Sequence, residues 1–69
     1  MSPKTEIPEN LILQAITSAK GGREIEDIID FIDYVDKSRY TTTEMLSFLK
    51  ILGKRGIVIR KNDRRYVKS

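Results

Sequence analysis

The sequence contains no cysteine, no histidine and no tryptophan, and only two prolines. Without cysteine there is no disulfide and no thiolate metal site, which fits a reducing compartment. Without histidine the commonest general base and metal ligand is missing, so acid–base chemistry would fall to Asp/Glu pairs, Lys or Tyr. No apolar run nears the ~18 residues of a membrane span, and the opening Met-Ser-Pro-Lys-Thr-Glu lacks the apolar core of a signal peptide. Gly21-Gly22 alone does not make a phosphate-binding loop. Glu26 and Asp30, one helical turn apart, are two carboxylates, well short of the six to eight oxygens calcium takes. These absences argue against an enzyme, a membrane protein, a resident cofactor or metal, and a small-molecule substrate. The expectation is a cytoplasmic, non-catalytic protein.

What is present is charge, unevenly spread. The 69 residues carry a net charge of +3. Up to Asp36 there are three basic residues (Lys4, Lys20, Arg23) and eight acidic ones, a net of −5; from Lys37 onward there are ten basic and two acidic residues (Glu44, Asp63), a net of +8. Such a split makes a polar molecule with one anion-seeking face. The plainer alternative is two solvated faces of an ordinary domain. A chain of this size buries only roughly 60% of its unfolded surface and gains about 3–10 kcal/mol of stability, so it has little room for a catalytic cavity.

The apolar pattern predicts three helices. Residues 1–7, with Pro3 and no periodicity, read as a loose arm. Pro8 and Glu9 suit a helix start. Leu11, Ile12, Ala15, Ile16 and Ala19 form a stripe with Leu13 on its flank, and Gly21-Gly22 supplies a stop, giving a first helix over 8–20. Residues 22–24 are either the first turn of the next helix or a brief extended segment able to pair with a later strand. The second helix runs over about 24–37, with Ile25, Ile28, Ile29, Ile32 and Val35 on one face, Glu26, Asp30, Asp33 and Lys37 on the other, and Phe31 and Tyr34 at the margins. Its isoleucines are poor helix formers, so it depends on burial. Thr41-x-x-Glu44 is a capping-box pattern that opens a third helix with Met45, Phe48, Leu49 and Leu52 inward. That helix ends at Gly53 or, with a stronger signal, at Gly56.

After Gly56 the chain turns β-branched and basic. Residues 57–61 and 64–68 read as two strands joined at Asn62-Asp63, a pair tolerant of positive φ. A two-residue turn there sets Ile59 opposite Tyr66, Val58 opposite Val67 and Arg60 opposite Arg65. Facing arginines destabilise a ladder, which an anion would relieve. The alternative is a longer loop, a different register and arginines splayed into water. Tyr40 and Tyr66 read as packing residues.

The order helix, helix, capped helix, glycine, basic hairpin resembles the winged helix-turn-helix superfamily over nearly the whole chain. The segment Leu49-x-x-Leu52-Gly53-Lys54-Arg55-Gly56-Ile57-Val58 is similar to the end of a winged-helix recognition helix, the hairpin to the wing, and residues 22–24 to its small first strand. The stretch from Ile28 to Tyr40 is similar to one in small uncharacterised bacterial winged-helix proteins. The resemblance implies an α+β winged-helix domain over 8–69 that binds duplex DNA, as a small transcriptional regulator would. Its third helix would lie in the major groove, exposing Thr42, Thr43, Ser47, Lys50 and Lys54, with the hydroxyls able to reach bases. Arg60, Lys61, Arg64 and Arg65 on the wing would hold phosphates.

Three features oppose a base reader. Ahead of its last turn the third helix has no Arg, Asn or Gln; Leu46 and Ile51 fall outside the buried stripe; and the acidic second helix must point away from the duplex. The alternative is a protein-interaction winged helix that docks through the acidic second helix or a surface made by Phe31, Tyr34, Leu46 and Ile51. The partner would be another protein or a second copy of the chain, with acidic and basic faces pairing.

Overall fold

A computed structural model describes residues 7–69. Three helices, α1 (Glu9–Thr17), α2 (Ile25–Asp36) and α3 (Thr42–Lys54), precede an antiparallel hairpin of β1 (Val58–Arg60) and β2 (Tyr66–Lys68). This is the α+β architecture expected, in a winged-helix arrangement. The arm expected over 1–7 lies outside the described residues except for Ile7, which is half-buried against the core.

α3 follows its local signals most closely. The Glu44 N–H donates to Thr41 Oγ1 (3.1 Å) and the Thr41 N–H to Glu44 Oε1 (2.9 Å), a complete capping box. At the other end Arg55 is the C-cap, and Gly56 takes a left-handed φ of 76°. The Ile57 N–H donates to Leu52 O (2.9 Å) and the Gly56 N–H to Gly53 O (3.0 Å). These two bonds make a Schellman stop with Ile57 folded onto the core. Gly56, not Gly53, therefore ends the helix.

α1 is shorter than expected. It stops at Thr17 because side chains compete for its last carbonyls: Thr17 Oγ1 donates to Leu13 O (2.7 Å), Ser18 Oγ to Ala15 O (3.1 Å) and Arg23 Nε to Ala15 O (2.7 Å). The Gly21-Gly22 pair serves a different purpose from a helix stop. Gly22 has φ 87°, and a Cβ there would stand 2.2 Å from Tyr66 O. The bare backbone lets the next residue reach β2. Arg23 exchanges both backbone hydrogen bonds with Tyr66, N–H to O at 3.2 Å and O from N–H at 2.8 Å. Residues 22–24 are thus the extended segment, one pairing long, on the free side of β2.

The core is built from Ile12, Ala15 and Ile16 of α1, Ile28 and Ile32 of α2, Met45, Phe48, Leu49 and Leu52 of α3, and Val58 and Tyr66 of the hairpin. Truncating one of the large aliphatics costs about 2–5 kcal/mol, comparable with the whole stability of so small a domain. α1 packs on α2 and β2, and α3 on α2 and β1. The α2 stripe is narrower than expected: Ile28 and Ile32 are buried, Ile25 and Ile29 half-buried, and Val35 exposed. The rings of Tyr40 and Phe48 meet edge to face, centroids 5.4 Å apart, and Tyr66 is buried, so both tyrosines pack.

The hairpin takes the longer loop. Its register is Val58 with Lys68, Ile59 with Val67 and Arg60 with Tyr66, one residue from the two-residue-turn expectation. The Arg64 N–H donates to Lys61 O (3.1 Å), the Lys61 N–H donates to Arg65 O (2.7 Å), and Arg64 has φ 71°. This is a three-residue loop, a turn closed by a left-handed residue. The register puts Val58 and Tyr66 together on the helical side, and Arg60 faces Tyr66 rather than Arg65. The expected arginine–arginine repulsion does not arise.

Candidate functional site

α3 presents Thr42, Leu46 and Lys50 at i, i+4 and i+8, a stripe beside its buried face. Across from it stand Arg60 and Arg64 of the hairpin, with Tyr66 at the base. Glu24, Ile25 and Glu26, at the start of α2, complete the lining. Together they line an open groove of about 660 Å³ between helix and wing.

The groove lining carries three cations, Lys50, Arg60 and Arg64, and two carboxylates, Glu24 and Glu26. Among the described residues the ion pairs are Arg39–Asp33 at 3.6 Å and Arg65–Asp63 at 3.8 Å. Glu24, Glu26, Lys50, Arg60 and Arg64 therefore line the groove outside the ion pairs of the described residues. A helix N-terminus ordinarily attracts phosphate through its free N–H groups. At α2 the first-turn carboxylates Glu26 and Asp27, with Glu24 at the N-cap, already supply negative charge there. The acidic second helix thus does not turn wholly away from the groove. Asp27, Asp30 and Asp33 lie outside the groove lining, but Glu24 and Glu26 enter it. Periodicity gave no sign of this, because the juxtaposition depends on how α2 crosses α3.

The expected site residues divide into groups. Thr42, Lys50, Arg60 and Arg64 share the groove. Ser47, Lys50, Ile51 and Lys54 form a shallower depression on the outward face of α3, and Thr43 is exposed on the same helix. Lys61 is exposed in the loop. Arg65 departs from its neighbours: its Nη1 lies 3.2 Å from where a Gly21 Cβ would stand, and its Nε approaches Asp63. The four wing cations do not form one cluster.

The candidate protein-docking residues are also divided. Leu46, 47% exposed, lies in the groove, and Ile51, 40% exposed, in the shallow depression. Five residues apart on α3, they are roughly 140° apart around its axis, with Lys50 between them in sequence. Tyr34, 86% exposed, and half-buried Phe31 lie on α2. The Arg23 guanidinium covers Phe31, its Cζ 5.1 Å from the ring centroid. Arg23 was not among the expected site residues. It joins the α1 end, the α2 face and β2, and its position after Gly21-Gly22 is its one local signal.

No metal-binding group of three or more carboxylates occurs among the described residues, and no helix there is long and apolar enough to cross a membrane. The chemistry on offer is hydrogen bonding and charge: guanidinium and ammonium donors, a threonine hydroxyl and an apolar floor at Leu46 and Ile25. Comparison with protein-family models, curated proteins and solved structures finds no match in any of the three.

Proposed function

We propose that the chain is a winged-helix DNA-binding protein, of the kind that serves as a small transcriptional regulator in the cytoplasm. Arg64 carries this reading. It occupies a left-handed backbone position that costs an L-residue about 1–2 kcal/mol and that glycine would fill freely. A strained residue kept at a loop tip invites a functional explanation. Here its side chain joins Lys50 and Arg60 in the groove. In the proposed complex the phosphate backbone runs along that groove, with Arg60, Arg64 and Lys50 on phosphate oxygens and the outward face of α3, with Thr43, Ser47 and Lys54, toward the major groove. Because α3 offers hydroxyls and no bidentate reader, sequence preference is weak and affinity comes mainly from the backbone.

The test is fluorescence anisotropy of a labelled duplex of arbitrary sequence at low salt. Saturable binding that Arg60→Ala/Arg64→Ala weakens by ten-fold or more supports the proposal. No binding by the folded wild type would overturn it.

One observation favours a second reading, in which a protein partner docks in the groove. Glu24 and Glu26 beside Leu46 and Ile25 suit a peptide carrying a cation next to an apolar side chain better than they suit phosphate. The readings differ in sign. Glu24→Gln/Glu26→Gln strengthens duplex binding under the first and weakens partner binding under the second.

A further inference from the structure

The groove leaves unused a second surface with a different chemistry. Asp27, Asp30 and Tyr34 follow one another at i, i+3 and i+7, along one side of α2. Tyr34 is 86% exposed, the largest exposure among the big apolar side chains of the described residues, and Val35 beside it in the chain is 48% exposed. Neither Asp27 nor Asp30 takes part in the ion pairs of the described residues. Tyr34 and Val35 thus expose apolar surface one turn beyond two carboxylates, a mixed patch of the kind that marks an interaction site. On α3 the shallow depression has the complementary pattern, with Ile51 between Lys50 and Lys54, the latter pair at i, i+4 and again outside the ion pairs of the described residues. Both patches lie on regular helices and need no rearrangement to meet.

We propose that the acidic face of α2 docks on the outward face of α3 of a second copy, with Tyr34 against Ile51 and Asp27 and Asp30 against Lys50 and Lys54. The two patches differ, so the contact is heterologous: each copy that uses its α2 still offers its α3, and association continues past two unless the rotation closes a ring. The helices are only 12 and 13 residues long, roughly 18–20 Å. A single helix pair of that length falls below the ~1,200 Å² that marks weak, transient complexes. The self-association is therefore weak, dependent on concentration and sensitive to salt. It does not require the DNA reading, but Lys50 and Lys54 serve both, so on any one α3, bound duplex and a docked second copy exclude each other.

Sedimentation velocity tests it, with the protein at about 0.5 mM, a concentration suited to weak contacts. Salt of about 0.02 M and 0.5 M gives Debye lengths of roughly 20 and 4 Å. The weight-average sedimentation coefficient is expected to rise with concentration at low salt and to return to the monomer value at high salt. Tyr34→Ala, which loses almost no internal packing, is expected to weaken the association several-fold. Asp27→Lys/Asp30→Lys and Lys50→Glu/Lys54→Glu are each expected to stay monomeric, with helical circular dichroism retained, and to associate again when mixed in equal amounts. Three results would each overturn the proposal: a monomer at every concentration in low salt, association indifferent to salt, or a Tyr34→Ala protein that associates like wild type. Failure of the two folded charge variants to associate on mixing would overturn it as well.

Discussion

Arg64 and Arg65 are adjacent in the chain and turn away from each other: Arg64 lines the groove with Lys50 and Arg60, whereas Arg65 reaches Asp63 and lies against Gly21. In the two-residue turn first expected, Arg65 would have faced Arg60 across the ladder. Their separation gives the groove one cation from the pair and leaves the other with a structural contact. Arg64→Ala is expected to weaken duplex binding roughly five- to ten-fold, and Arg65→Ala less than two-fold. Anisotropy titrations of the two variants at equal salt check this. Equal losses would show that the divergence has no bearing on binding.

Arg64 also lets stability and binding be pulled in opposite directions. Arg64→Gly relieves the left-handed strain, partly offset by the greater freedom of glycine in the unfolded chain, for a net gain of about 0.5–1 kcal/mol. The same substitution removes a cation from the groove. Urea unfolding should show a higher midpoint, while the duplex titration shows weaker binding. A glycine variant that is less stable than wild type would place the origin of the φ of 71° elsewhere.

Glu24 and Glu26 oppose the cations that share their groove. Their replacement by glutamine keeps the shape and removes two negative charges. Duplex affinity is expected to rise about three- to ten-fold. Thermal stability should fall slightly, by about 0.3–1 kcal/mol per carboxylate lost near the α2 N-terminus. The two readouts together distinguish a change at the interface from a general change in folding.

Gly22→Ala is expected to destabilise the domain by about 2–3 kcal/mol, because φ 87° suits only glycine and the added methyl would meet Tyr66 O. Gly56→Ala loses only the left-handed preference, since no atom lies within 4 Å of a Cβ there, and should cost about 1 kcal/mol. Chemical denaturation of the two variants ranks them. A reversed order would mean that the Arg23–Tyr66 pairing adds little.

The elements that local signals define were legible in the sequence. Thr41 with Glu44, and Gly56 followed by Ile57, carry their hydrogen-bond partners within one helical turn, so both ends of α3 could be read directly. The buried stripes of α1 and α3 follow from spacing alone. The hairpin register was not legible, because Val58 and Ile59 are equally suited to a strand and only packing decides which faces inward. Asn62-Asp63 drew the turn to the wrong pair; the residue that takes positive φ is Arg64, which has no propensity for it. The groove was half legible. Thr42, Lys50, Arg60 and Arg64 were expected at the interface. Glu24 and Glu26 were not, since their place beside Lys50 and Arg64 is a long-range result of helix crossing. Leu46 and Ile51 looked like one surface in sequence and lie on different flanks of one helix.

The salt dependence of duplex binding tests the central proposal most directly. Of the seven cations on α3 and the hairpin, six, Lys50, Lys54, Arg60, Lys61, Arg64 and Arg65, were expected at the duplex, and Lys68 at the end of β2 was not. With Arg65 held at Asp63, about four or five remain for phosphates. The slope of log affinity against log salt is then expected near −4, and Arg64→Ala should make it shallower by about one. A slope near zero, or one that Arg64→Ala leaves unchanged, would contradict backbone anchoring through the groove.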